Sequence, residues 1–293
     1  MGNQYDRRKV LKNMAGGAAV LAAGMLLPEP LRAAGTKEEK LKGRINHSVC
    51  KWCYNDISLE DLCKAGKGMG LTSIELLGPD DWPTLKKYGL TCAMAWGAEK
   101  SLTEGFNDPQ YHDELVSRYE AMIPKVANAG LNNLICFSGN RRGMDDQQGM
   151  ENCAKGLKRL MSTAEKHKVT LSMELLNSKV NHKDYMCDHT PWGVELVKMV
   201  GSDRFKLLYD IYHMQIMEGD VIRTIQENHP YISHYHTGGV PGRNEIDNTQ
   251  ELYYPAIMRA IVDTGFKGYV AQEFIPKNNP LASLKESVLI CDV

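Results

Sequence analysis

Short apolar, β-rich runs recur along this chain at intervals that leave room for one helix and two loops, and four of them end on a side chain able to hold a cation. The runs are Leu171-Ser-Met-Glu174, Leu207-Leu-Tyr-Asp210, Ile232-Ser-His-Tyr-His236 and Gly268-Tyr-Val-Ala-Gln-Glu273, and their terminal residues lie 36, 26 and 37 positions apart. Parallel strands require a crossover of about that length, usually a helix. A single strand-end carboxylate is often only the cap of the next helix. Four in phase with the repeat say more. In a closed (β/α)₈ barrel the carboxyl ends of all strands face one side, so residues distant in sequence become neighbours there.

The rest of the chain fits that repeat. Strands are expected near 45–52, 72–77, 91–96, 133–138, 169–175, 205–210, 231–236 and 268–274. Helices are expected near 58–68, 80–88, 110–129, 147–167, 191–200, 218–228, 250–263 and 281–290. Local punctuation agrees: Ser58 with Asp61 starts a helix, Pro191 suits a first turn, and Gly130 and Gly265 follow helix ends. No Gly/Ser/Pro-rich linker and no glycine-rich phosphate loop interrupts residues 36–293, which predicts one α/β barrel domain. The long stretches 97–109, 138–146, 177–190 and 237–249 all follow strands, on the face where binding is usually built.

Residues 1–35 are different in kind. Arg7-Arg8 precedes the apolar run from Met14 to Leu27, and Ala33, Ala34 and Gly35 offer a processing site. This predicts a twin-arginine export signal, a periplasmic destination and no stable membrane anchor, because the run is too short to span a bilayer comfortably. Removing its five basic and two acidic side chains leaves 30 Lys and Arg against 34 Asp and Glu. Such a chain lacks the basic face that nucleic acid needs. Eight irregularly spaced cysteines follow the signal. Cys92 and Cys136 read as small core residues. Cys50-Lys-Trp-Cys53 has redox spacing but is expected within a strand, not on the helix amino terminus that would lower a thiol pKa.

Three carboxylates and an imidazole, with no thiolate among them, form an oxygen-rich ligand set: Glu174, Asp210, His236 and Glu273. One divalent ion is expected, Mg²⁺ or Mn²⁺ first and Zn²⁺ as the alternative. Removing a proton beside a carbonyl leaves negative charge that such an ion stabilises, and two carboxylates flanking the carbon can exchange the roles of base and acid.

Several further runs carry a resemblance. Ser48-Val-Cys-Lys-Trp-Cys-Tyr54, Ile74-Glu-Leu-Leu-Gly-Pro79 with Trp82-Pro83, Glu174-Leu-Leu-Asn177, Asp210-Ile-Tyr-His-Met-Gln215, His236 with Pro241-Gly-Arg243-Asn-Glu245, and Gly268 through Pro276 together resemble hydroxypyruvate isomerases. These lie within the xylose isomerase-like TIM barrels, a group of sugar isomerases and epimerases. The resemblance implies an isomerase or epimerase of a small keto sugar or hydroxy-keto acid, working through a metal-stabilised enediolate. It implies that Glu174 and Glu273 both touch the metal and move protons, that Asp210 binds the metal, and that His213 and Arg243 bind substrate oxygens. His236 stands where epimerases have a metal histidine and hydroxypyruvate isomerases usually have glutamine.

The remaining candidates are secondary. Glu75 is expected to orient a neighbour or a substrate hydroxyl, and Trp52 and Trp96 to wall the pocket. His234 is expected to point away from the site, and His182 and His189 to be solvent histidines. Two other activities stay open: a keto-sugar or inosose lyase or dehydratase, and a carbohydrate-binding barrel without catalysis. A DNA-repair endonuclease of related fold is disfavoured for want of a basic face and further metal histidines. Self-association into a homo-oligomer is also open.

Overall fold

A computed structural model describes residues 40–293, so the twin-arginine segment lies outside the described residues. Six parallel strands form the central sheet: β1 (Asn46–Val49), β2 (Asn133–Cys136), β3 (Thr170–Glu174), β4 (Phe205–Asp210), β5 (Ile232–Thr237) and β6 (Tyr269–Gln272). Their hydrogen-bonded order is β1-β6-β5-β4-β3-β2. All five residues of β3 are buried, as expected of a parallel strand covered on both faces.

The sheet closes through two segments expected to be full strands. Residues 73–77 and 91–95 make only isolated parallel bridges: Cys50 to Glu75, Ser73 to Thr91, Leu77 to Ala95, and Ala95 to Leu134. Eight positions therefore surround the barrel, six of them strands. The interruption has a local cause. Leu76 has a φ of +57°, left-handed backbone that breaks an extended run and costs a bulky side chain about 1–3 kcal/mol. Its N–H still donates to the Met94 carbonyl at 2.9 Å, so the ring stays joined.

The crossovers supply the outer layer: α1 (Leu59–Gly68), α2 (Trp82–Lys87), α3 (His112–Asn128), α4 (Asp146–His167), α5 (Thr190–Val200), α6 (Ile211–Met217), α7 (Val221–Asn228), α8 (Tyr254–Asp263) and α9 (Pro280–Cys291). Ser58 caps α1 by accepting from the Asp61 N–H, and Pro191 sits in the first turn of α5. Along α4, Met150, Cys153, Leu157, Leu160 and Ala164 recur at helical spacing and are buried. The helix expected at 218–228 is α7, and an unexpected short helix, α6, precedes it with Asp210 as its cap; Gly219 and Asp220, both at positive φ, separate the two.

Two loops of the carboxyl-end face touch through glycines. A Cβ on Gly105 would lie 2.4 Å from the backbone nitrogen of Gly139, so only glycine permits the stretches 97–109 and 138–146 to meet. Cys92 and Cys136 are core residues. The Cys50/Cys53 pair is not within a strand: Cys50 directly follows β1, and Lys51–Tyr54 is one short 3₁₀ turn. Both thiols are free, and burial raises both well above the ordinary cysteine range, which keeps them protonated. Among the described residues no helix is long and apolar enough to cross a membrane.

Candidate active site

Adjacent strands deliver the four expected ligands to one point. Glu174 is the last residue of β3, Asp210 the last of β4, His236 the penultimate residue of β5, and Glu273 directly follows β6. Asp210 and His236 are register partners across β4 and β5. One ligand atom from each of the four lies within 4.8 Å of the others. Asp210 and His236 are wholly buried and the two glutamates nearly so.

Several features fit a divalent cation. Nδ1 of His236 is 2.7 Å from Oε2 of Glu273 and 3.4 Å from Oε1 of Glu174. Neither contact has hydrogen-bond geometry, so His236 Nδ1 and Glu174 Oε1 are buried without a partner. Native proteins rarely leave such atoms orphaned unless something else binds them. Charge points the same way. Burial, reinforced by its carboxylate neighbours, raises Asp210 to about 7. Burial and Glu273 raise Glu174 too. Burial opposes charge on the His236 imidazole, yet Cys50 and Glu273 drive its pKa well upward. A site that strains to gain protons holds too much negative charge for Arg243 alone, and a divalent ion would supply what is missing.

Glu273 behaves differently. Burial pushes its carboxyl up, but Arg243, His236 and Trp52 outweigh that and hold it well below the usual range. Trp52 Nε1 donates to its Oε1 at 2.7 Å, and Arg243 Nη2 donates both to its Oε2 and, at 3.1 Å, to Asp210 Oδ2. The guanidinium lies between the Trp52 and Tyr212 rings, at 5.3 Å and 5.4 Å from their centroids. The structure thus brings Trp52 and Arg243 to the same carboxylate.

His213 joins them from the first turn of α6, where its backbone N–H is capped by Asp210 Oδ1 at 3.1 Å. The Asn177 backbone N–H donates to His213 Nδ1 at 3.2 Å. Burial and Arg243 lower the imidazole well below its ordinary value, so the ring is neutral, and its other nitrogen, Nε2, faces Arg243. That atom lies 3.0 Å from Arg243 Nη1.

Glu75 lies deeper in the barrel, fully buried. Its Oε1 accepts from His234 Nε2 at 2.7 Å and from His236 Nε2 at 2.9 Å. Burial pushes its carboxyl up, and the two histidines more than compensate, holding it at about 2. Two expectations are corrected here. His234 points into the barrel with His236, because residues two apart on a strand share a face. His182 is not a solvent histidine: it lines the cavity, 5.2 Å from the His213 ring centroid to centroid. His189 is exposed, against Asp188. The sequence carried one unused signal for His182, its place in the 177–190 loop after a ligand-bearing strand.

A cavity of about 480 Å³ opens over Glu174 and Glu273. Arg243 and His182 line it beside them, and Trp52, Leu76, Trp96, Leu102, Phe137 and Leu176 complete the lining.

The chain is similar to several known proteins in sequence and in fold. A human protein provisionally named hydroxypyruvate isomerase is 30% identical over 112 residues, 38% of this chain and 40% of the human one. The zebrafish protein of the same provisional name is 25% identical over 236 residues, 80% of this chain and 81% of its own. The chain therefore matches well under half of the human relative and most of the zebrafish one. Among solved structures, an AP endonuclease, family 2, from Brucella melitensis superposes with a TM-score of 0.73 at 22% identity, covering 82% of this chain and 97% of that one. A D-psicose 3-epimerase with D-tagatose from Clostridium cellulolyticum H10 gives 0.69 at 16% identity, covering 85% and 100%. At such identities they report the fold. The family profile described as xylose isomerase-like TIM barrel matches residues 83–290, a span that holds all four of the strands β3 to β6, and on that match this chain belongs to the xylose isomerase-like TIM barrel family.

Proposed function

We propose that this protein is a divalent-metal-dependent isomerase or epimerase of a small α-hydroxy keto compound, in which Glu174 and Glu273 transfer the proton. The observation that carries the reading is the pairing of these two carboxylates. They share one cluster and their environments push them in opposite directions, Glu174 towards the acid and Glu273 towards the carboxylate. Neighbouring carboxylates with separated proton affinities suit a reaction needing one base and one acid. The names of the relatives lend support, since the human and zebrafish proteins are provisionally called hydroxypyruvate isomerases.

Glu174, Asp210, His236 and Glu273 would hold the ion. Bound there, it would draw charge from a substrate carbonyl and make the neighbouring C–H more acidic. The chain's own groups do the rest. Glu273, kept ionised by Arg243 and Trp52, removes the proton. Glu174, on the other side of the cluster, returns one. Arg243, which lines the cavity with its Nη1 3.0 Å from His213 Nε2, would donate to a substrate oxygen.

The test is uptake of solvent deuterium into α-hydroxy ketones and keto acids by the metal-loaded protein, with products identified by mass and NMR. Deuterium at the carbon next to the carbonyl, with an isomer of unchanged mass otherwise, supports the reading. Loss of water from the product would move the assignment to a dehydratase, and no uptake from any compound would remove the proton-transfer role. We also propose that residues 1–35 direct twin-arginine export, so that the reaction takes place outside the cytoplasm.

A further inference from the structure

The polar groups of the cavity are contiguous: Glu174 and Glu273 share one cluster, Arg243 donates to Glu273, and His182 packs on His213 beside Arg243. Glu174, Glu273 and Arg243 form the floor, His182 stands at the edge, and the walls are Trp52, Leu76, Trp96, Leu102, Phe137 and Leu176. Phe137 and Leu176 are almost fully buried, so their side chains belong to the packed barrel top and cannot turn away to admit polar neighbours. Trp96 packs edge-on against Phe137, with centroids 5.8 Å apart.

Leu76 makes the wall a built feature. It follows Glu75, which holds the two histidines, and it adopts left-handed backbone that glycine or asparagine would take at less cost. A strained position at which a leucine projects into a cavity is one where the apolar side chain has a use.

Size gives the second constraint. At about 480 Å³ the cavity falls among clefts that enclose drug-sized molecules, and a three-carbon keto acid would leave most of it empty. Hydroxyl groups placed against Leu76, Leu102, Phe137 and Leu176 would find no hydrogen-bond partner on those side chains. An apolar substituent would lose nothing.

Resting on the isomerase or epimerase reading above, we infer that the natural substrate is an α-hydroxy ketone whose reacting carbons bear an apolar, hydroxyl-poor substituent, rather than a free polyhydroxylated sugar or a three-carbon acid. Its carbonyl and hydroxyl face the carboxylate floor. Its hydrocarbon part fills the space between Trp52, Leu76, Leu102 and Phe137.

The full chain, loaded with Mn²⁺, would be given two series in deuterium oxide and uptake read by mass spectrometry. One series lengthens the hydrocarbon: hydroxyacetone, 1-hydroxy-2-butanone and 1-hydroxy-2-hexanone. The other adds hydroxyls: dihydroxyacetone and erythrulose. The expected result is a rise in kcat/KM of about fourfold for each buried methylene, with erythrulose below 1-hydroxy-2-butanone. Leu102→Asn, at a half-buried loop position, should flatten the chain-length gain. Uptake that is fastest with erythrulose, or indifferent to chain length, overturns the substrate class while leaving the proton-transfer reading intact. Absence of uptake from every compound counts against proton transfer itself, and the inference is then decided by binding. Quenching of tryptophan fluorescence that tightens along the hydrocarbon series supports it, and quenching without chain-length dependence overturns it.

Discussion

His236 and Glu75 are joined through the imidazole Nε2 at 2.9 Å, and this contact turns Nδ1 towards Glu174 and Glu273. A carboxylate accepts and never donates when ionised, so the bond places the ring proton on Nε2 and leaves the Nδ1 lone pair for a cation. His234 donates to the same Glu75 oxygen and holds it from the other side.

Replacing Glu75 by glutamine keeps the volume but removes the charge and presents an amide donor to two rings that must themselves donate. Supporting carboxylates of this type are generally worth 10–100-fold in metal affinity. Glu75→Gln should therefore weaken Mn²⁺ or Zn²⁺ binding by about that factor in calorimetry. Unchanged affinity would show that His236 does not need this partner.

Asp210→Asn tests the metal site with little risk to the fold. Asparagine can still cap α6 by accepting from the His213 N–H, so helix capping survives. The negative charge does not. Metal content after dialysis should fall below stoichiometric occupancy, with a circular dichroism spectrum like that of the parent. Full occupancy in the variant would place the ion elsewhere.

Glu174→Gln and Glu273→Gln should each lower turnover by roughly 10²–10⁴-fold, the usual size of a general acid or base contribution. They should differ in what remains. The variant that keeps its base can still wash deuterium into the substrate without releasing an isomer, and on the present geometry that is Glu174→Gln. Full activity in either variant would exclude a two-carboxylate mechanism.

His47, in β1, predicts a pH response of stability. Burial lowers its pKa from 6.5 to about 4, against the weaker pull of Asp292. Both ring nitrogens lack hydrogen-bond partners. The folded state therefore binds this proton less readily than the unfolded state, so stability is full above pH 6.5 and declines as pH falls towards 4. The contribution lost is at most about 3 kcal/mol at 1.36 kcal/mol per pKa unit. His47→Gln should flatten the melting temperature between pH 6.5 and 4 relative to the parent. An equally steep profile in the variant would assign the acid sensitivity to other groups.

The export proposal rests on Arg7 and Arg8. Guanidinium and ammonium groups differ in geometry and donor number, so a receptor that reads the arginine pair should reject lysine. Arg7→Lys with Arg8→Lys should leave the precursor in the cytoplasm of an expressing bacterium on fractionation and immunoblotting. Undiminished export would reassign the segment to the general secretory route.

The repeat of strand-end candidate ligands was legible in the sequence because parallel barrels impose a nearly constant length on each βα unit and bring the carboxyl ends of the strands to one face. Glu174, Asp210, His236 and Glu273 could be selected by spacing and residue type alone. The direction of His234 followed equally from strand geometry, since positions 234 and 236 share a face, and the expectation that it points away misapplied that rule. Other features had no local signal. The break in residues 73–77 depends on the left-handed turn at Leu76, which no propensity favours for leucine and which only the surrounding hydrogen bonds sustain. The bond between Glu75 and two histidines some 160 residues away, the entry of His182 into the cavity, and the apolar wall facing the carboxylates all depend on which loops meet above the barrel. A strand's periodicity specifies which way each of its own side chains points. It carries no information about what another strand or loop will place opposite, and only closure of the ring decides that.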